Sequence, residues 1–528
     1  MGNIKILDCT LRDGGYVNEW NFGQETIKSI LEKLSEARLD YIECGFLSDG
    51  VFDFNKSIFG STNQIKEVLP DNSSNSYVAM IALGEKEISI EHVPQCDKNS
   101  IFAIRLTFHK DEIDRAFEYA KQLMNKEYEV FMQPIGTCMY SDKELLELVD
   151  KINELRPYAL GIVDTLGNIK GPELMRMFQL LDNNLDSRIC IGFHSHNNLQ
   201  LSFANAQELV RVFTERTIII DASVLGMGRG AGNLCTELIT QFLNENLKSN
   251  YNITALLEII DTYLLSIKEK NTWGYTIPYY ISAVQNCHPN YAIYLINRQT
   301  MTVKDVEKIL IMIPREKKGI FDKKLIEKLY NEYQEHTIDD KETIGILKTK
   351  WCEKKVLLLA PGKSIIEQKD KIQNFIQNED PYIISVNFVD EMYGADMIFV
   401  SNSKRFKKSI EGKWEKDIVI TSNIDIKESE CIYKVNYSDY LDSESEISDN
   451  SGLMLCKLLK RCDVREIALA GFDGFDVNNE RNYFRNDLRY IAESQSLEIK
   501  TRKIKEQLKR LKKDMEISFI TTSCYTEV

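Results

Sequence analysis

Ile189–Cys190–Ile191–Gly192–Phe193–His194–Ser195–His196–Asn197–Asn198 passes from apolar to polar within ten residues. Strand side chains alternate sides with a period of two, so His194 and His196 lie on the same side at the end of an extended segment. Two imidazoles on one side at a strand end can hold one divalent metal. The alternative is a hydrogen-bonded polar pair that closes the strand. The chain has only 6 His in 528 residues, and two of them stand here.

The same run repeats through the first half of the chain. Strand candidates are Ile4–Thr10, Tyr41–Phe46, Tyr77–Leu83, Ile101–Thr107, Glu129–Ile135, Leu160–Asp164, Ile189–His194 and Ile218–Ser223. Amphipathic stretches such as Gln24–Arg38, Asp111–Asn125, Asp142–Glu154, Pro172–Leu181 and Leu199–Phe213 lie between them. Eight β/α repeats in about 245 residues predict a (β/α)8 TIM barrel. An open doubly wound sheet would carry G-x-G-x-x-G after its first strand. Here that position reads Leu11–Arg12–Asp13–Gly14–Gly15.

Barrel active sites form at the carboxyl ends of the strands. Asp13, Glu43, Arg105, Gln133, Asp164, His194 and His196 all fall at or near such ends. Singly, each has an ordinary account as a cap or a solvated loop residue. Jointly they point to a metal site. After the eighth strand comes Gly226–Met227–Gly228–Arg229–Gly230–Ala231–Gly232–Asn233, leading into a helix. Its backbone N–H groups suit an anion, and its bland reading is a flexible turn.

Composition bounds the rest. The hydrophobic share is 43%, the charged share 28% and the net charge −14. That is an ordinary globular balance, and it argues against non-specific nucleic-acid binding. The 12 Cys include no C-x-x-C pair, which predicts reduced thiols. No signal peptide and no spanning apolar run is read, so a cytoplasmic protein with no membrane partner is expected.

Three regions are predicted: a barrel over 1–250, a helical extension packing on it over 251–347, and a Rossmann-like α/β domain over 348–528. The extension holds the aromatic cluster Trp273–Gly274–Tyr275–Thr276–Ile277–Pro278–Tyr279–Tyr280. The last domain opens on Val356–Leu357–Leu358–Leu359–Ala360–Pro361–Gly362–Lys363–Ser364, with further strands at Tyr382–Val386, Met397–Val400, Ile418–Thr421, Cys431–Val435 and Glu466–Ala470. Gly362–Lys363–Ser364 ends like a P-loop but lacks its first glycine, so no nucleoside triphosphate site is read. Gly471–Phe472–Asp473–Gly474–Phe475–Asp476 follows the last of these strands, where open sheets bind ligands. A charged helix is predicted over Leu488–Met515.

The first half resembles the DRE-TIM metallolyases, nearest to the 4-hydroxy-2-oxovalerate aldolases and related to the HMG-CoA lyases and the isopropylmalate and homocitrate synthases. The resemblance rests on Asp8–Cys9–Thr10–Leu11–Arg12–Asp13–Gly14, Ile42–Glu43–Cys44–Gly45–Phe46, Val163–Asp164–Thr165–Leu166–Gly167, His194–Ser195–His196–Asn197 and Gly228–Arg229–Gly230–Ala231–Gly232–Asn233. It implies that Asp13, His194 and His196 ligate a divalent metal, with Asn233 as a further ligand. The metal is Mn²⁺ or Mg²⁺ by that resemblance, with Zn²⁺ and Co²⁺ also compatible. Arg12 would steady an enolate oxygen. Glu43, Arg105, Gln133, Asp164, Gly228 and Gly230 are expected to bind substrate.

The implied reaction makes or cleaves a 2-oxo acid aldol, with a 2-oxo acid and an aldehyde as small-molecule partners, in a homodimer. HMG-CoA lyases carry a cysteine in the loop after strand eight, which Leu225–Gly226–Met227–Gly228–Arg229 lacks. Where the aldolases have a histidine shortly after R-D-G, this chain has Tyr16. Tyr16, with Tyr275 or Tyr279, is therefore expected to move the proton, with His109 and His288 as alternatives. The other readings are a Claisen-type acyltransferase using acetyl-CoA and an inactive barrel serving as a scaffold. The last domain resembles Rossmann-like domains of bacterial carbohydrate- and pterin-modifying transferases, which suggests an unusual surface-polysaccharide sugar.

Overall fold

The computed structural model describes residues 3–50, 52–70, 76–84, 87–97, 99–411, 413, 416–426, 432–444, 446–475, 482–485, 488 and 494–526. The chain divides into two compact units, Met1–Ala292 with Pro314–Phe321, and Ile293–Ile313 with Asp322–Val528. The residues between 251 and 347 are thus shared between the two. Among the described residues, no helix is long and apolar enough to cross a membrane.

In the first unit eight parallel strands close on themselves. They are β1 (Asn3–Asp8), β2 (Tyr41–Leu47), β3 (Ser76–Ala82), β4 (Ala103–Phe108), β5 (Glu129–Pro134), β6 (Ala159–Asp164), β7 (Cys190–Ser195) and β8 (Thr217–Ala222). β1 pairs with β8 on one side and β2 on the other, which completes the barrel. A two-residue strand, Ile58–Phe59, adds to the edge of β2.

The period of two sorts the side chains. Leu7, Tyr41, Val78, Ala103, Phe131, Ala159, Cys190 and Ile219, one from each strand, pack together as an apolar floor inside the barrel. Their neighbours Ile6, Ile42, Ala79, Ile104, Val130, Leu160, Ile191 and Ile220 face out, into the core shared with the helices. Two residues beyond the floor, the inner positions are Cys9, Glu43, Met80, Arg105, Gln133, Gly161, Gly192 and Asp221. The interior therefore turns polar one layer above its floor.

The helices follow ordinary rules. Asp142–Leu155 starts on Ser141, whose hydroxyl accepts the Glu144 N–H in a capping box, and buries Leu145, Leu148, Val149 and Ile152. In β2, pairing with β3 slips between Glu43 and Phe46. Gly45 sits in that bulge at φ +149°, and a Cβ there would lie 2.0 Å from the Ser57 carbonyl oxygen. The glycine of the Ile42–Phe46 motif is thus a backbone requirement.

The second unit holds a seven-stranded parallel sheet. Its strands are β9 (Val356–Leu359), β10 (Tyr382–Val386), β11 (Met397–Val400), β12 (Asp417–Thr421), β13 (Ile432–Val435), β14 (Glu466–Ala470) and β15 (Glu516–Phe519). The order is β13-β12-β11-β10-β9-β14-β15, so the winding reverses between β9 and β14. Val356 and Leu358 enter one core and Leu357 and Leu359 another, as in a sheet covered on both faces.

One expectation changes here. The C-terminal helix spans Ser494–Leu511 and is followed by β15, where sequence patterning continued the helix to Met515. The alternation of Glu516, Ile517, Ser518 and Phe519 marks an edge strand too short to break a charged helical pattern. Part of the predicted helix, 489–493, and Asp476 of the Gly471–Asp476 motif lie outside the described residues. The Gly362–Ser364 turn is filled from within, because Asp473 accepts the Ser364 N–H at 2.8 Å and also binds its hydroxyl. An internal carboxylate stands where a P-loop would hold phosphate.

Candidate active site

The site is built on the turn after β1. The Cys9 carbonyl accepts the N–H groups of Arg12 at 3.1 Å and Asp13 at 2.8 Å. That tight turn brings both side chains back over the barrel mouth, and they are 5% and 2% exposed. Gly15 continues it, because a Cβ there would strike the Trp20 ring at 2.0 Å. The Trp20 indole N–H donates to the Arg12 carbonyl at 2.8 Å and pins the turn.

Asp13, His194 and His196 offer one ligand atom each, all within 4.8 Å of one another. Asn233 joins them, since its amide N–H donates to Asp13 Oδ2 at 2.7 Å. Gly228 makes room: a Cβ there would lie 2.5 Å from Asn233 Nδ2 and 2.8 Å from Asp13 Oδ2. Asn233 Oδ1 and His196 Nδ1 are buried without a hydrogen-bond partner. Buried orphan acceptors are costly, and a divalent cation would satisfy both. This donor set of two imidazoles with carboxylate and amide oxygens fits Mn²⁺, Mg²⁺, Zn²⁺ or Co²⁺.

Protonation states agree. Burial opposes ionisation of Asp13, but Arg12 and the two histidines outweigh it and hold the carboxyl well below its ordinary range. Burial lowers His196 to about 4, so it is a neutral imidazole at neutral pH, as a ligand must be.

Beneath the ligands runs a chain of buried ion pairs. Arg12 Nη1 meets Asp13 Oδ1 at 2.7 Å, and Arg12 Nε meets Glu43 Oε2 at 2.8 Å. Arg105 Nη1 meets the same Glu43 oxygen at 2.9 Å and pairs through Nη2 with Asp221. Asp221 then takes His194 Nδ1 at 3.0 Å. Glu43 and Arg105 thus orient Arg12 and His194 from inside the barrel. Burial pushes Asp221 up, but Arg105 and His194 hold it below the ordinary value. The sequence reading omitted Asp221. Its signal was available, as an acid closing the apolar run Ile218–Ile219–Ile220.

An Asp221→Asn substitution is expected to weaken metal binding about 10- to 100-fold, the usual effect of losing a ligand's outer partner. It leaves Arg105 short of an anion and His194 with a neutral, weaker acceptor. Metal titration of the purified variant checks this.

The remaining predicted residues divide. Gln133 fills the space left by Gly161, where a Cβ would meet its Oε1 at 2.2 Å. Asp164 turns away from the interior, and its oxygens accept the N–H groups of Asn168 at 2.9 Å and Ile169 at 3.1 Å. Burial raises its carboxyl to about 7. Gly230, at φ +73°, lies against Asn198 and Tyr279. Tyr279 therefore reaches the strand-eight loop, whereas Tyr275 is 58% exposed and packs on Tyr280 at 6.0 Å.

Tyr16 stands beside the mouth with its ring 4.7 Å from Trp20 and 6.2 Å from Phe46. Desolvation, with Asp13 acting in the same direction, raises its phenol above the ordinary value. Arg229 lies over the Tyr16 ring at 5.7 Å and donates to His288 Nε2 at 2.9 Å. Burial and Arg229 lower His288 to about 4. His109 is exposed at the start of a short turn and faces none of these groups.

The first half of the chain is similar to known proteins. Residues 3–262 match the HMGL-like family. A 4-hydroxy-2-oxovalerate aldolase from Bacillus cereus (strain ATCC 10987 / NRS 248) is 27% identical over 266 residues, 49% of this chain and 75% of that protein. An oxaloacetate decarboxylase from Mycobacterium tuberculosis H37Rv is 24% identical over 241 residues, 45% of this chain and 69% of that protein. The HMG-CoA lyase structure from Brucella melitensis aligns at 13% identity with a TM-score of 0.41, covering 51% of this chain and all of that one.

Proposed function

We propose, from the match of residues 3–262 to the HMGL-like family, that this chain is a divalent-metal-dependent carbon–carbon lyase acting on a 2-oxo acid of the pyruvate type. One observation carries the reading. Three ligand atoms of Asp13, His194 and His196 gather within 4.8 Å, and the Arg12 guanidinium touches the same carboxylate at 2.7 Å. A divalent cation bound there supplies Lewis acidity toward the ketone and carboxylate oxygens of a 2-oxo acid.

The chain's own groups do the rest. Arg12, locked by Asp13 and Glu43, presents fixed positive charge where the enolate oxygen develops. Trp20 and Phe46, whose rings stand 5.7 Å apart beside Arg12, wall off water on that side. Tyr16 is protonated at neutral pH, so in the condensation direction it gives its proton to the new alkoxide. Tyr279 is the second candidate for that role, and Tyr275 belongs to the reading through its sequence cluster alone. The carbonyl partner in this proposal is an aldehyde, and a sugar aldehyde for a surface polysaccharide is its most specific form. A cytoplasmic location and a homodimer complete the reading.

A second reading follows from the decarboxylase relative. Loss of carbon dioxide from oxaloacetate leaves the same pyruvate enolate, so one site serves either reaction.

Pyruvate in D₂O tests the enolate step without an aldehyde. Exchange of its methyl protons is expected with metal, to fall to background after chelation, and to return with Mn²⁺ or Mg²⁺. Exchange that persists in the chelated protein would sink the proposal. Carbon dioxide release from oxaloacetate, compared with aldehyde-dependent pyruvate consumption, separates the two readings.

A further inference from the structure

A cavity of about 180 Å³ lies within the second unit. A single water needs only about 10–15 Å³ of such space, so the cavity admits a small organic molecule. It opens beyond the carboxyl ends of β9 and β14, between Ala360–Pro361–Gly362 and Gly471–Phe472–Asp473. The strand order reverses there. At such a point neighbouring connections leave on opposite faces and part to form a crevice, which is where open parallel sheets take ligands.

The charges of the wall cancel. Arg298, Arg405 and Lys500 are matched by Glu446, Asp449 and Asp473. Arg298 meets Asp449 at 3.5 Å. Behind the wall Lys503 sits between Glu446 at 2.5 Å and Glu444 at 2.8 Å. Burial opposes the Lys500 ammonium, and Asp449 and Glu446 favour it. Asp473 accepts the Ser364 N–H at 2.8 Å, and Arg405 donates to the Leu488 carbonyl at 2.6 Å. An ionic ligand would bring a charge that nothing here is left to balance, and enclosing such a charge is costly. The crevice therefore favours a molecule without net charge.

What the wall does offer is aromatic surface and amide groups. Phe472, Phe475 and Tyr525 line it. Gly452 lets Phe472 approach, because a Cβ there would lie 2.8 Å from the ring. Asn450 Oδ1 caps the helix Ser451–Arg461 by accepting the Leu453 N–H at 3.0 Å, and its amide N–H groups have no partner among the described residues. The Gln299 backbone carbonyl is held by the Asn402 amide at 3.1 Å, whereas its side-chain carboxamide makes no hydrogen bond among the described residues. A carboxamide sets a donor beside an acceptor. Vicinal hydroxyls, or the edge of a heterocycle, present the complementary pair, and the face of either ring packs on an aromatic side chain.

We infer that this cavity binds an uncharged ring-shaped molecule with hydrogen-bonding groups on its edge, a sugar or a nucleoside. Gln299 and the Asn450 amide are its polar contacts, and Phe472 packs against it. The site is separate from the barrel chemistry.

Calorimetric titration of the full chain with N-acetylglucosamine and with adenosine tests this and separates the two sources. At least one of them is expected to bind. Added charge should bring no gain, so glucuronate and AMP are expected to bind no more tightly than their neutral counterparts. Gln299→Leu, and Asn450→Ser, which keeps the helix cap, should each weaken binding about three- to tenfold, the effect of one neutral hydrogen bond. Urea unfolding midpoints and pyruvate exchange should stay unchanged. The proposal is overturned if neither neutral probe binds, if glucuronate or AMP binds where its neutral counterpart does not, or if both variants bind as tightly as the parent. Because the readout is binding, failure of the barrel reading leaves this result intact.

Discussion

Arg12→Gln is expected to slow pyruvate methyl exchange by about 100- to 1,000-fold, the range for removing one preorganised donor from a developing oxyanion. The guanidinium is buried and held at two points, by Asp13 at 2.7 Å and Glu43 at 2.8 Å. Its geometry therefore exists before substrate arrives, and no reorganisation is needed during reaction. Glutamine keeps a polar amide but is shorter and loses the charge and the second anchor. Metal affinity should change by less than tenfold, because the ligand atoms of Asp13, His194 and His196 remain. Arg12→Lys keeps the charge but not the fork, and should fall between parent and Gln variant. Equal exchange rates in all three proteins would remove Arg12 from the chemistry.

His196→Ala should lower exchange by roughly a thousandfold or more, and it should do so by a different route, through loss of the metal. The imidazole is neutral, and its Nδ1 has no hydrogen-bond partner among the described residues. Removing it costs the fold little, so the urea midpoint should stay near that of the parent. Metal titration separates the two variants: the Arg12 variant binds metal and fails in chemistry, whereas the His196 variant fails to bind. A His196→Ala protein with normal metal affinity would leave Asp13, His194 and Asn233 as the holding set.

Much of this was legible in sequence because β strands write their geometry plainly. The step of two between His194 and His196 gives their shared side, and it gives Glu43 and Arg105 the inner side once Tyr41 and Ala103 are placed. The same counting sends Asp164 outward, since Gly161 and Val163 take the inner positions. Nearness to a strand end was the wrong test for it. Asp221 was hidden by its surroundings, because its role arises only when β8 closes beside β7. Tyr275 and Tyr279 share one aromatic cluster, and only the path of the chain past Gly230 separates them. In the second unit the buried strands stood out as apolar runs. The short edge strand after Leu511 did not, because its alternation is weaker than the helical pattern before it.

The chain from Asp13 through Arg12, Glu43 and Arg105 to Asp221 alternates in sign at every step. Deleting any one member strands a neighbouring charge in a buried interior, and an uncompensated buried charge costs several kcal/mol. The interior therefore obeys a parity rule. One ionic residue cannot drift to neutrality alone, and viable change must move two adjacent members together. Redesigning this barrel for another substrate is best directed at Tyr16, Tyr279 and Arg229 around the mouth, which stand outside that accounting.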